Sequence, residues 1–300
     1  MSELASTLQS VTPPGVWSVE RSFRFCQDVA RRDTHNFPVA TWLMPSSVRP
    51  YAACLYAFAR LADNWADEPR YAGQRRALLD EWSAALDDCC AGRATHPVFI
   101  ALQRTIAVRD IPPAYLRTLL DALRQDLSVT RYATRNDLLD YCRRSANTAG
   151  RLVLTLLGHR DEEEYLLSDA ICTGHALVNF WQEVVEDRAN GRIYIPQEDL
   201  ARFECDPTNL EAPSTHENFA RLMADEIAWT REFFRAGWPL CERFRGRLGL
   251  ELRLIWWSGY LALRRLEADR ALLLARPSSL TAADKVSILW HTVTSHRLLE

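Results

Sequence analysis

The chain has 300 residues and a formal net charge of −3, with 36 Lys+Arg against 39 Asp+Glu. That size suits one large domain or two small ones, and the balanced charge lacks the basic field that nucleic acid demands, so no nucleic-acid partner is expected. Only 11 Gly and 14 Pro punctuate it, which disfavours a many-stranded β fold and predicts long helices in an all-α protein. Lys285 is the single lysine; arginine suits fork-like pairing with phosphate, but a compositional bias explains the excess equally well.

Residues 1–17, rich in Ser and Thr with Pro13, Pro14 and Gly15, read as a flexible arm, and no basic stretch followed by an apolar one predicts a secretory signal there. From Ser18 onward apolar residues recur at helical spacing. Breaks are expected near Phe37–Pro38, Pro45–Pro50, Pro69–Gly73, Pro112–Pro113, Gly158–Asp161, Gly191–Pro196, Pro207–Pro213 and Pro277, with Ser46–Ser47 opening the helix that carries Tyr51 to Asp67. The eight cysteines lack C-x-x-C spacing, which disfavours a zinc site and fits free thiols in a reducing cytoplasm. No apolar run reaches the roughly 18 residues of a membrane span, and no repeat or linker divides the chain, so one domain is the simpler expectation.

Two segments carry chemistry. In Tyr51–Glu68, the apolar Cys54, Leu55, Phe58, Leu61, Ala62 and Trp65 predict a largely buried helix, yet Asp63 and Asp67 lie four apart on one face, with Tyr56 and Arg60 extending the stripe. In Cys172–Leu200, His175, Asn179, Glu183 and Asp187 step by four among Ala176, Leu177, Val178, Phe180, Trp181, Val184 and Val185, and Asn190–Gly191 is set to end that helix in a left-handed cap. Paired carboxylates repel, and in an apolar setting the cost rises steeply unless a cation sits between them. Mg²⁺ takes oxygen ligands and bridges carboxylate to phosphate. A solvated acidic face has the same spacing, so spacing alone admits both readings.

At these residues the chain resembles the squalene/phytoene synthase family. Asp63-Asn-Trp-Ala-Asp67 and Glu183-Val-Val-Glu-Asp187 look like the family's two aspartate-rich motifs. Tyr56, Arg60 and Asp63 keep its Y-x3-R-x2-D spacing, Tyr141 to Gly150 resembles its central-cavity stretch, and Asn179 to Leu200 resembles its long second signature. The resemblance implies an all-α isoprenoid-synthase fold with a central cavity, as one catalytic domain over 18–300. It implies several Mg²⁺ ions held by Asp63, Asp67, Glu183 and Asp187, and a diphosphate contacted by Arg60 and Arg192. Tyr56, Tyr141, Asn179 and Gln182 would line the cavity and steer cations.

Within the family, His35–Ala40, Ser145-Ala-Asn147 with Gly150-Arg151, and Asn179–Gln182 are similar to the hydroxysqualene synthases of hopanoid-making bacteria. That implies Mg²⁺-assisted ionisation of presqualene diphosphate, rearrangement and capture by water, giving hydroxysqualene without NADPH. It further implies a functional link to a presqualene diphosphate synthase and a hydroxysqualene-reducing enzyme, and a cytoplasmic protein with peripheral contact at the inner membrane face. Asn64 and Glu183 depart from the usual aspartates, and His35-Asn36 from the residues of condensing synthases.

The alternatives are a condensing synthase (of presqualene diphosphate, squalene or phytoene) that joins two prenyl diphosphates, and a non-catalytic helical adaptor. An HD-type phosphohydrolase needs an adjacent His-Asp pair and a di-iron bundle needs E-x-x-H, and the chain has neither. Arg143 and Arg144 are split between phosphate contact and structural charge, His175 is expected to be a hydrogen-bonded structural histidine, and Leu252–Leu266 is expected to pack in the core. Most of the ten tryptophans are expected in the core, and the Cys89–Cys90 pair to be structurally silent.

Overall fold

The computed structural model describes residues 17–32, 44–206, 213–269, 273 and 280–294. Residues 1–16 of the arm expected at 1–17, the His35–Ala40 stretch, the breaks at 37–38 and 277, and residues 207–212 of the break at 207–213 lie outside them. The described residues form helices and no strand, with a single β-bridge between Arg131 and Ile193. The chain divides into two compact units, 1–128 with 151–160, and 129–150 with 161–300.

In the first unit, α1 (Val19–Arg32), α2 (Arg49–Asp67), α3 (Arg75–Cys90), α4 (Pro97–Arg109) and α5 (Pro113–Asp126) surround an aromatic core. Trp82 sits at its centre. Its ring lies 4.9 Å from Trp65 and 4.3 Å from Phe99, and its Nε1 donates to the Phe58 carbonyl at 3.2 Å, so the one polar atom of this buried ring is satisfied. Burial of each such ring contributes about 1.5–3 kcal/mol. The start of α2 differs from expectation. Val48 stands at the N-cap with no side-chain bond; its own N–H donates to the Pro45 carbonyl at 2.9 Å, and Pro50 occupies the first turn, where a missing N–H costs nothing. Helix α4 is capped by His96, whose Nδ1 accepts from the Val98 N–H at 3.2 Å; burial lowers this imidazole to about 4 and keeps it neutral.

The second unit holds α6 (Arg135–Cys142), a π turn at Arg143–Asn147, the first residues of α7 (Thr148–Leu157), α8 (Glu162–Gln182), α9 (Val184–Ala189), α10 (Gln197–Arg202), α11 (Pro213–Arg243), α12 (Gly246–Asp269) and α13 (Ala282–Thr294). Helices α8, α11 and α12 approach through glycines. A Cβ on Gly174 would meet the Phe234 ring at 3.0 Å, one on Gly237 would meet Ile171 Cγ1 at 2.5 Å, and one on Gly259 would meet His175 Cε1 at 2.6 Å. The Leu252–Leu266 stretch lies inside α12 and buries Arg253, Trp256, Trp257, Leu261, Ala262, Leu263 and Leu266, so its expected role in core packing holds. Arg253 donates to the Thr292 carbonyl at 3.0 Å and so ties α13 to α12.

Trp65, Trp82, Trp181, Trp238, Trp256 and Trp257 are buried, whereas Trp290 is 67% exposed beside Val286, Leu289 and Val293 on one face of α13. All eight cysteines are free, Cys89 buried and Cys90 exposed. Among the described residues no helix is long and apolar enough to cross a membrane.

Candidate active site

The residues singled out from the sequence fall into two sets, one in each unit. In the first unit, α2 carries Tyr56, Arg60, Asp63 and Asp67 in successive turns, while Cys54, Phe58, Ala62 and Trp65 fill the core behind them. Arg60 Nη1 donates to Asp63 Oδ2 at 2.9 Å, with both side chains more than a third exposed, so the pair contributes at most about 1 kcal/mol. Asp67 is exposed. The burial expected around this acidic pair therefore holds for the helix and not for the carboxylates, which sit on its open side where water or an arriving cation can reach them.

In the second unit the ladder is broken. Helix α8 ends at Gln182, Glu183 takes φ −102° and ψ 13°, and α9 begins at Val184. The N–H of Glu183 still donates to the Asn179 carbonyl at 3.0 Å and that of Asp187 to the Glu183 carbonyl at 2.8 Å, which keeps the i,i+4 relation across the bend. Asn179 and Glu183 are exposed, while Gln182, Asp187 and Arg192 are half-buried. His175, which opens the ladder, is turned away into the core. Its Nε2 lies 2.9 Å from the Ile255 carbonyl, and burial lowers its pKa, which makes it the structural histidine expected.

The end of α9 is the cap foreseen from Asn190–Gly191, in fuller form. Gly191 has φ +80°, its N–H donates to the Arg188 carbonyl at 2.9 Å, and the Arg192 N–H donates to the Asp187 carbonyl at 2.8 Å. These are the two bonds of a Schellman motif. They fix the backbone of Arg192 to that of Asp187, so a candidate metal ligand and a candidate diphosphate contact share one turn. A Cβ on Gly191 would meet nothing within 4 Å, so only backbone strain opposes a side chain there. Gly191→Ala is expected to cost about 1–2 kcal/mol in denaturant unfolding, and Gly191→Asn distinctly less, because Asn tolerates the left-handed region. Equal stability of wild type and the Ala variant would show that the turn re-forms without it.

Tyr141 is buried near the end of α6, its ring 6.1 Å from Phe180 of α8 and 6.0 Å from Tyr194. Tyr194 stacks on Phe180 at 4.1 Å and 8°, and Tyr132 completes the cluster 5.7 Å from Tyr194. Tyr132 and Tyr194 were not singled out from the sequence. They come from two extended strips, 130–133 and 193–196, joined by Ile193 N–H to Thr130 carbonyl at 3.0 Å, and Gln197 N–H, at the start of α10, donates to the Tyr132 carbonyl at 2.9 Å. The π turn directly after α6 widens the helix, and hydroxyls satisfy its loosened carbonyls: Ser145 Oγ donates to the Tyr141 carbonyl at 2.8 Å and Thr148 Oγ1 to the Arg143 carbonyl at 2.9 Å. Such turns concentrate at functional sites. Arg143 and Arg144 both pair with Asp140, which answers for each charge locally.

The donors on offer are carboxylate oxygens, a hard set that fits Mg²⁺ and not a soft metal. Among the described residues no three His, Cys, Asp or Glu side chains gather into a cage. Mg²⁺ needs none, because it binds through one or two carboxylates and completes its shell with water and phosphate oxygens.

Comparison with known proteins defines the class first: a helical fold of the isoprenoid-synthase type. The crystal structure of squalene synthase HpnC from Alicyclobacillus acidocaldarius superposes with a TM-score of 0.79 at 35% identity, covering 84% of this chain and 95% of that one. The squalene/phytoene synthase family profile matches residues 30–284, and the chain belongs to that family, whose members process prenyl diphosphates. Its relatives include a phytoene synthase of Arthrospira platensis, 29% identical over 82% of each chain. They also include a hydroxysqualene synthase of Rhodopseudomonas palustris, 30% identical over 73% of this chain and 75% of that one.

Proposed function

We propose that this protein is a hydroxysqualene synthase that converts presqualene diphosphate and water to hydroxysqualene and diphosphate, as a single catalytic domain over 18–300. The observation that carries the reading is the pair of acidic motifs, Asp63/Asp67 and Glu183/Asp187, both within the residues 30–284 that match the family profile. Similarity to the hydroxysqualene synthase supports the particular reaction.

Several Mg²⁺ ions held by the four acids would supply Lewis-acid neutralisation of the departing diphosphate. Arg60 and Arg192 bind diphosphate oxygens through their planar forks, and the Schellman turn holds Arg192 in register with Asp187. Arg60 is paired with Asp63, so the diphosphate-binding fork and the carboxylate that would hold a metal ion neutralise each other until substrate arrives. The faces of Tyr141 and its stacked neighbours present negative quadrupoles to a carbocation, and they shed water along that wall. Tyr56, Asn179 and Gln182 orient the reacting chain. The ending in water capture needs no NADPH. The apolar face of α13, with Val286, Leu289, Trp290 and Val293 exposed, supports peripheral contact of a cytoplasmic protein with the inner membrane face, where a greasy product leaves. A presqualene diphosphate synthase would supply the substrate and a reductase would take the alcohol.

The phytoene synthase relative favours a second reading, in which the chain condenses two prenyl diphosphates. Incubation of the purified protein with presqualene diphosphate and Mg²⁺, without NADPH, decides by mass spectrometry. Hydroxysqualene lost on adding EDTA is the expected result. Consumption of farnesyl or geranylgeranyl diphosphate with presqualene diphosphate untouched would establish condensation, and survival of all three would leave a non-catalytic helical protein.

A further inference from the structure

Glu226 of α11 is 0% exposed, and neither of its carboxyl oxygens has a hydrogen-bond partner among the described residues. The charged groups facing it are Arg135 from α6, Asp199 from α10 and Asp225 from its own helix. Arg135 Nε donates to Asp199 Oδ2 at 2.8 Å and its Nη2 to Asp225 Oδ2 at 2.5 Å, while the same Nη2 stands 3.5 Å from Glu226 Oε2 without a hydrogen bond. Arg202 closes the outer side, 2.6 Å from Asp199 Oδ1 and paired with Asp225. From helix α8, the uncharged Trp181 donates to Thr230, one turn beyond Glu226, at 2.8 Å. Two guanidiniums already balance two aspartates. A third carboxylate, fully buried and without a donor, would be an unpaired charge that the interior does not tolerate.

This cluster holds more than itself. The Arg135 backbone N–H donates to Glu198 Oε1 at 2.7 Å, and its side chain leans over the Trp229 ring at 4.5 Å. Arg135 therefore ties the start of the Tyr141 helix to the first turn of α10, directly after the strip 193–196 that follows Arg192 and carries Tyr194.

We infer that Glu226 is a positioning residue: as the neutral acid it completes the Arg135–Asp199–Asp225 cluster and so holds the strip of Arg192 and Tyr194 against α6 and α8. Its role in turnover rests on the proposed function; its role in the fold does not. Burial is the main force that pushes this carboxyl up to about 8, Arg135 opposing and Asp199 and Asp225 assisting. The folded protein thus keeps a proton that the unfolded chain releases from about pH 4.5, so stability falls as pH rises through the window between that value and 8 and loses nothing further from this group above it. Above pH 8 the ionised carboxylate competes for Arg135 and loosens the strip.

The test compares wild type with Glu226→Gln, a neutral isostere. Melting temperature is followed from pH 5 to 9.5, together with kcat for Mg²⁺-dependent diphosphate release from presqualene diphosphate at 20 °C. Wild type is expected to lose melting temperature between pH 5 and 8 and about threefold or more in kcat between pH 7.5 and 9.5. The Gln variant is expected to match wild-type kcat at pH 7 within about twofold, to show no decline in kcat, and to lose distinctly less melting temperature than wild type, keeping only the share of Glu251, whose carboxyl burial pushes up to about 7. Parallel curves for the two proteins, or a Gln variant that does not fold, would overturn the assignment. If wild type releases no diphosphate, the functional reading fails, while the melting curves still decide the neutral state of Glu226.

Discussion

Asp187→Asn is expected to lower kcat by about a thousandfold or more, the scale on which a lost metal ligand removes charge stabilisation from a transition state. The same holds for Asp67→Asn. In both variants the melting temperature should shift by no more than about 2 °C, because a polar contact made by an exposed or half-exposed acid contributes little to stability. The backbone bonds that shape the turn, Asp187 N–H to Glu183 and Arg192 N–H to the Asp187 carbonyl, do not involve the side chain and survive the change. Glu186→Gln is the control. This exposed acid adjoins Asp187 but stands outside the i,i+4 pair, and its kcat should stay within about twofold. Turnover at the wild-type rate in Asp187→Asn and Asp67→Asn alike would remove the acidic pairs from the chemistry.

The second large effect is on the fold. Gly237→Ala places a Cβ 2.5 Å from Ile171 Cγ1 and 3.0 Å from both the Ile171 nitrogen and the Leu167 carbonyl oxygen. A flexible side-chain tip can turn away, but the backbone of α8 cannot, so α8 and α11 must separate. Overpacking against backbone atoms costs about 3 kcal/mol, more than the ~1 kcal/mol that Ala gains over Gly inside a helix, which leaves a net loss of about 2 kcal/mol. The melting temperature should therefore drop by roughly 4–8 °C. Because α8 also carries Asn179 and Gln182, activity should fall along with stability. An unchanged melting temperature would mean that the close approach is not tight in solution.

Helix boundaries written in local chemistry were legible from the sequence. Pro112–Pro113, Gly158 and Asn190–Gly191 act within a few residues of themselves, and the helices stop or start there. The start of α2 was misjudged because two serines look like caps, whereas the structure uses the Pro45 carbonyl and leaves Val48 at the cap. The bend at Glu183 carries no Gly or Pro to announce it, so the second ladder read as one rod. Solvent exposure of Asp67 and Glu183 was also invisible, since periodicity identifies a buried helix face but not how far its polar edge reaches into water.

The acidic pairs were legible because their spacing is local. The cluster of Arg135, Asp199 and Glu226 was not. Its members are 64 and 27 residues apart along the chain, and nothing in the sequence around any one of them names the others. Tyr194 lay within the quoted signature but gave no sign that it stacks on Phe180, a partner supplied by the preceding helix.

The π turn at Arg143–Asn147 changes the phase of the rod it interrupts. An ordinary helix advances about 100° per residue, so one extra residue in a turn rotates everything downstream by about that much relative to everything upstream. Tyr141, before the turn, faces Phe180 and Tyr194, whereas Asn147, at its end, meets Thr173 at 3.0 Å on an earlier part of the same α8. The segment thus behaves as a keyed shaft: removing one residue from it would leave the side chains on either side chemically unchanged and turn Asn147 by about 100° relative to Tyr141.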